Sequence, residues 1–232
     1  MSSFEHFLEN QSHVYSLILE EQDSLTANGA RPDPAIAQKS GGFVVMLRYP
    51  QEFIDKLEIV TKSLPSWCPI IALAPKNIHT TIVTYGVRSG HASPVGNPEE
   101  SEVVDRLIAG VQKALHDTKQ TVKGIEIDFH EPLVGATTII VPGLPNKDFF
   151  RTFVAVVSGC KASGLEVREP WGAHCTLARF KTEIKPQKMT ELLEKINFKH
   201  LGKVKPVAID VAFMGMPNGK SIKKIVYKSF PL

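Results

Sequence analysis

The stretch "WGAHCTLARF", residues 171–180, sets a histidine two positions before a threonine inside a run that otherwise reads as a buried strand. Upstream, "NIHTTIVTYG", residues 77–86, carries the same order of residue types, and the two histidines stand 95 positions apart. Along a strand, side chains alternate between two faces, so residues i and i+2 share one. His79 and Thr81 therefore share a face, with Ile78, Thr80 and Ile82 on the other. In the second stretch His174 and Thr176 lie together, opposite Ala173, Cys175 and Leu177. A lone histidine on a strand is ordinarily structural. Two imidazole–hydroxyl pairs, each backed by a mainly apolar face, point to a shared task.

The surrounding chain places both stretches in similar settings. "FVVMLRY", 43–49, reads as a strand, and Pro50 opens a helix to Leu64 with Phe53, Ile54, Leu57 and Val60 on one face. A short apolar piece, "PIIAL", precedes the first histidine strand. The second pass repeats the order. A helix over 97–118 carries acidic residues in its first turn, and strands follow at about 122–130 and 136–141. A helix then begins after Asn146 as its cap and ends before Gly164. After the second histidine strand come a helix at about 186–197 and a hairpin around "PNGK", 217–220. This alternation predicts an α/β chain with an internal pseudo-repeat.

Ahead of it, Phe4, Phe7, Leu8, Gln11, Val14, Tyr15, Leu17 and Ile18 recur near a helical period, which predicts an amphipathic helix over 3–25. The Gly- and Pro-containing stretch 28–42 reads as a linker. Residues 1–40 thus form an N-terminal helical extension and linker, and residues 41–232 the motif-bearing domain.

Two histidines and two threonines around one small volume suit a phosphodiester. In-line displacement at phosphorus needs a base on the attacking oxygen and an acid on the leaving oxygen, and imidazoles fill both roles near neutral pH. Threonine hydroxyls can donate to the non-bridging oxygens. No metal is required.

The paired motifs resemble those of the two-histidine (2H) phosphoesterases, the superfamily of RNA-ligase-like proteins and cyclic phosphodiesterases. The likeness extends to "GGFVVMLRYP" followed by a helix and to Leu177-Ala178-Arg179 after the second motif, and it covers about residues 41–232. It implies an α/β (α+β) bilobal two-sheet fold with pseudo-two-fold symmetry and a central cleft. It further implies His79 and His174 as the acid–base pair and Thr81 and Thr176 as ligands of phosphate oxygens. Substrates in the superfamily include 2′,3′-cyclic phosphates, 2′–5′ linkages, RNA 3′ ends and ADP-ribose cyclic phosphate, and the motifs do not choose among them. The partner expected is a nucleotide or an RNA 3′ end, with no cofactor. A module that binds such an end without turning it over is the alternative, and a scaffold docking through the N-terminal helix a third.

Other residues are candidates by position. Alternation puts Tyr85 on the His79 face, where it could stack on a base, and Trp171 at the cleft mouth could do the same. Alternation turns Arg179 to the face opposite His174, unless a bulge brings it round to a phosphate. The remaining histidines, at 6, 13, 91, 116, 130 and 200, show no metal-ligand spacing, so no metal site is expected. "GMPNGKS", 215–221, is one residue short of a phosphate-binding P-loop and lies between two strands, so it reads as a turn.

The whole chain sets outer bounds. Its 232 residues are 43% hydrophobic and 22% charged, a globular composition. No apolar run approaches the roughly 18 residues of a membrane span, and the opening "MSSFEHFLEN" lacks the pattern of a secretory signal. Cys68, Cys160 and Cys175 form no CxxC pair and fit buried thiols in a reducing cytoplasm. Net charge is only +3, yet residues 1–40 hold two basic and six acidic residues, while residues 179–232 hold twelve basic and four acidic. A basic C-terminal segment fits a phosphate-bearing substrate as well as a solvated lysine-rich face.

Overall fold

The fold is taken from a computed structural model that describes residues 3–88, 98–119, 121–196, 198–216 and 219–232. In chain order the elements are α1 (Phe4–Asn28), α2 (Pro34–Ala37), β1 (Gly41–Arg48), α3 (Gln51–Lys62), β2 (Ile70–Ala72), β3 (Thr80–Arg88) and α4 (Pro98–Asp117). They continue with β4 (Ile127–Phe129), β5 (Leu133–Val134), β6 (Thr138–Pro145), α5 (Lys147–Ala162), β7 (His174–Phe180), α6 (Pro186–Lys195), β8 (Gly202–Val204), β9 (Ala208–Gly215) and β10 (Lys223–Pro231).

Every residue of β1 except Arg48 is buried, the pattern of a strand covered on both faces. It takes the middle of one half-sheet, paired antiparallel with β3 on one side and β9 on the other, and β10 adds to β9. The other half runs β7-β6-β4-β8, with β2 added to β7 and β5 to β6. All of these pairings are antiparallel. The halves meet at β3 and β7 through one residue pair, Thr80 opposite Cys175, giving a curled ten-stranded sheet. Behind that seam the Tyr49 hydroxyl lies 2.7 Å from Thr80 Oγ1, which lies 3.5 Å from Cys175 Sγ.

The helices cross between the halves. α3 follows a strand of the first half but packs against β7, and its Phe53 ring lies 4.7 Å from Phe129 of the second half. α5 follows a strand of the second half but packs against β3. Its start is capped by the Asn146 side chain, which accepts from Phe149 N at 3.0 Å, and Gly164 beyond its end has φ 79°. α4 lies on α5 at a crossing of glycines: a Cβ on Gly110 would come within 2.8 Å of Cys160 N, and one on Gly159 within 2.2 Å of Gly110 O. One apolar core therefore runs through both halves.

Several expectations shift at the edges. The strand placed at about 122–130 is a 3₁₀ turn at Val122–Gly124 followed by the short β4, and the strand begun at 136 runs from Thr138 to Pro145. The stretch read as a linker holds α2, whose cap Asp33 accepts from Ala35 N at 2.8 Å. It is fastened to the body by Arg31 N to Ala136 O at 2.8 Å and Asp33 N to Phe180 O at 2.9 Å. α1 packs on β5 and α6 and buries Phe7, Gln11 and Leu25. Pro217 and Asn218 of the "PNGK" turn lie outside the described residues, as does His91. Cys68, Cys160 and Cys175 are free and buried, and burial pushes their thiols up to about 11, 11 and 12, which keeps them protonated. Among the described residues no helix is long and apolar enough to cross a membrane.

Candidate active site

His79 immediately precedes β3 and His174 begins β7, so both rings stand where the two halves meet. They line one cleft of about 260 Å³ together with Thr81, Thr84, Thr176 and Arg179. Apolar wall is supplied by Val44, Leu73, Met214 and Ile222. His79, Thr81, His174 and Thr176 thus come together as the sequence predicts.

A matched irregularity decides what stands beside them. In the β1–β3 register Val45 faces Val83 and Met46 faces Thr81, leaving Ile82 as an extra residue in β3. In the β6–β7 register Ile139 faces Ala178 and Ile140 faces Thr176, leaving Leu177 as an extra residue in β7. Each bulge falls three positions after its histidine and reverses the alternation beyond it. Thr84 and Arg179, each five positions after a histidine, consequently turn into the cleft.

This corrects the placement of two candidates. Strict alternation sends Arg179 away from the site, whereas the bulge brings it in. The mirror correction holds for Tyr85, which leaves the His79 face and packs partly buried against the apolar core. Trp171 also stands outside the cleft lining. Its ring stacks on His174 with centroids 4.3 Å apart and planes 7° apart, and Tyr15 meets it edge-on at 5.2 Å.

Both imidazoles are held alike. His79 Nδ1 lies 2.6 Å from the Asn77 carbonyl, and His174 Nδ1 lies 3.2 Å from the Gly172 carbonyl. A carbonyl only accepts, so each Nδ1 carries the hydrogen and each Nε2 keeps its lone pair. Burial is the main cause that lowers both rings to about 4. The carbonyl bonds oppose the fall, while Lys224 and Arg179 deepen it at His79, and His79 and Arg179 deepen it at His174. Before substrate enters, both rings are therefore neutral at pH 7.

Arg179 is the half-buried cation of the site. Its Nη1 pairs with Oδ2 of Asp33, whose side chain is 7% exposed. The segment before β1 thus supplies the carboxylate that orients the cleft's guanidinium. Sequence reasoning missed Thr84 and Asp33. For Thr84 the signal was available, because H-x-T-x-x-T and H-x-T-x-x-R recur in register once a bulge is allowed. For Asp33 no pattern in the chain pointed to Arg179.

Away from the cleft, the fold gathers ligand-type side chains that spacing did not suggest. Asp128, His130 and His200 bring ligand atoms within 4.8 Å of one another, the one such group among the described residues. His200 Nε2 lies 2.7 Å from Asp128 Oδ1, and none of the three lines the cleft.

No family model and no curated protein matches the chain. Solved structures do. The protein TT0787 of Thermus thermophilus aligns with a TM-score of 0.57 at 15% identity, covering 82% of this chain and 97% of that one. E. coli LigT complexed with 3′-AMP gives 0.52 at 14% identity, covering 84% and 98%. A crystal structure described as a phosphoesterase gives 0.51 at 12% identity, covering 82% and 98%. The likeness shows that this chain has the mixed α/β fold of these structures, the two-histidine phosphoesterase fold.

Proposed function

We propose that this chain, which has the two-histidine phosphoesterase fold, is a metal-independent phosphodiesterase acting on a 2′,3′-cyclic phosphate or a related ribose phosphodiester of a nucleotide or RNA end. One observation carries the proposal: two imidazoles in one cleft, held in the same tautomer, each with a free Nε2. That E. coli LigT is seen with 3′-AMP and with NADP+ supports a nucleotide in the cleft.

The chemistry follows from the groups present. A diester phosphate enters between the rings, where Thr81 and Thr176 donate to its non-bridging oxygens and Arg179 offsets its charge. The anion also raises the rings' affinity for a proton, so one imidazole becomes the acid as substrate binds. The neutral ring takes a proton from water as the new P–O bond forms. The protonated ring gives its proton to the ribose oxygen as the old P–O bond breaks. One monoester and one free ribose hydroxyl result, and the proton has moved from one histidine to the other. Either ring can serve as base, and the direction of reaction exchanges the roles.

The test is product analysis over 2′,3′-cyclic nucleotides, 2′–5′ dinucleotides, an RNA 3′ end and ADP-ribose cyclic phosphate, all in EDTA. Turnover of at least one at a rate unchanged by chelation is expected. If nothing turns over, or activity demands a divalent ion, the two-histidine mechanism is wrong. Tight binding without turnover would instead make the cleft a receptor for nucleotide ends.

A further inference from the structure

We infer that Gln11 and Tyr15 of α1 are positioning residues for His174, which makes the N-terminal helix part of the catalytic apparatus; this rests on the two-histidine reading of the cleft. β6 and β7 pair as far as Pro142 opposite His174, and the next two residues to face each other are Gly143 and Ala173. One bond of that pair is direct, from Gly143 N to Ala173 O at 2.8 Å. The return bond passes through a side chain of α1. Ala173 N donates to Gln11 Oε1 at 2.7 Å, and Gln11 Nε2 donates to Gly143 O at 3.0 Å. The carboxamide of Gln11 thus occupies the ladder as an additional peptide group immediately before the catalytic ring.

Tyr15, one helical turn on, completes the clamp. Its hydroxyl donates to the Ala173 carbonyl and accepts from Gly143 N at 3.1 Å. Its ring meets the edge of Trp171, and Trp171 lies flat on His174. His174 Nδ1 bonds the Gly172 carbonyl between them. Residues 171–173, which set both the plane and the tautomer of His174, are therefore held from α1.

The sequence bears marks of this arrangement. Gln11 is a polar residue on the apolar stripe of α1 and is 1% exposed, an expensive place for a carboxamide unless all its bonds are made. Gly172 leaves room for it, since a Cβ there would fall 2.6 Å from Gln11 Cγ. Burial raises the Tyr15 hydroxyl well above its ordinary value, so it stays a donor across the working pH range. His79 lacks any such clamp from α1; its Nδ1 partner is the carbonyl of Asn77 in the turn before β3.

The decisive variants are Tyr15→Phe, which removes one oxygen and keeps the ring, and Gln11→Leu, which keeps the bulk and removes both bonds. With full-length protein held well below its melting temperature, kcat for the preferred substrate should fall ~10–100-fold while KM changes less than about threefold, the scale for a misaimed catalytic group. The imidazole nitrogen NMR signals of His174 should shift in tautomer or titration, while those of His79 stay in place. The NMR measurement needs no turnover, so it judges the positioning role even if the two-histidine mechanism fails. Unchanged His174 signals with wild-type kcat overturn the inference. Equal disturbance of both histidines overturns it too, since that marks a general loss of structure. If Gln11→Leu does not fold, Tyr15→Phe decides alone.

Discussion

The two histidine strands are built to one plan and finished differently. Each carries a histidine, a threonine two positions on, a bulge at the next residue and an inward-turned side chain at the fifth. Each histidine donates from Nδ1 to the carbonyl two residues before it. At the fifth position, however, β3 has neutral Thr84 and β7 has Arg179, itself aimed by Asp33. His174 is braced by an aromatic stack, whereas His79 has no ring stacked on it among the described residues and feels the charge of Lys224. The shared features are those that acid–base chemistry needs from both sides of a phosphorus. The unshared ones set a guanidinium from one strand against a hydroxyl from the other, and so give an asymmetric substrate an orientation.

The strongest way to break this comparison is to remove the rings. His79→Ala and His174→Ala should each lose ~10²–10⁴-fold in kcat, and the double variant should lose little more, because the two act as one unit. Retention of most activity by either single variant would end the symmetric reading. Fifth-position variants sharpen the contrast. Arg179→Met should cost ~10²–10³-fold in kcat/KM, and Thr84→Val under about tenfold, on the scale of charged against neutral transition-state donors. Equal losses would mean that the guanidinium does not orient the substrate. Thr81→Val and Thr176→Val should resemble each other, at ~10–10³-fold.

Acidity offers a third check. With both free rings lowered to about 4, kcat/KM for a diester should fall about tenfold per pH unit above that value. kcat should hold to higher pH, since bound phosphate raises the rings. A kcat/KM flat from about pH 5 to 8, the span of ordinary assays, would rule out neutral rings in the free enzyme.

A further effect is on stability. An unfolded histidine titrates near 6.5, so between about 4 and 6.5 the unfolded chain binds more protons than the folded one. This contribution is complete above pH 6.5 and is lost as pH falls toward 4, on the order of 3 kcal/mol for each ring by linkage. Melting temperature should decline over that window, and less steeply in a His79→Gln/His174→Gln protein.

Legibility in the sequence tracked the range of the forces involved. The helix over α3 and the cap at Asn146 are local effects and stand where the pattern put them. The four HxT side chains could be grouped because period-two alternation is short-ranged. That alternation misplaced Tyr85 and Arg179 because a bulge is fixed by the partner strand, and register with β1 or β6 is not written within β3 or β7. Asp33 and Gln11 were out of reach for a similar reason, since each acts on a strand more than a hundred residues away. Gln11 nevertheless left a trace, a buried-stripe position that a hydrophobic residue would fill at less cost.

The exchange of helices between the halves has a bearing on motion. Parting the halves like the covers of a book would strip Phe53 from Phe129 and α5 from β3. Baring two phenylalanine rings alone costs on the order of 5 kcal/mol, so the parted state would hold roughly one molecule in several thousand. Parting of the halves is therefore a costly way into the cleft, and the mouth between its standing walls is the cheaper one. On the proposed function, the width of that doorway bears on how large a nucleotide or RNA end the cleft admits.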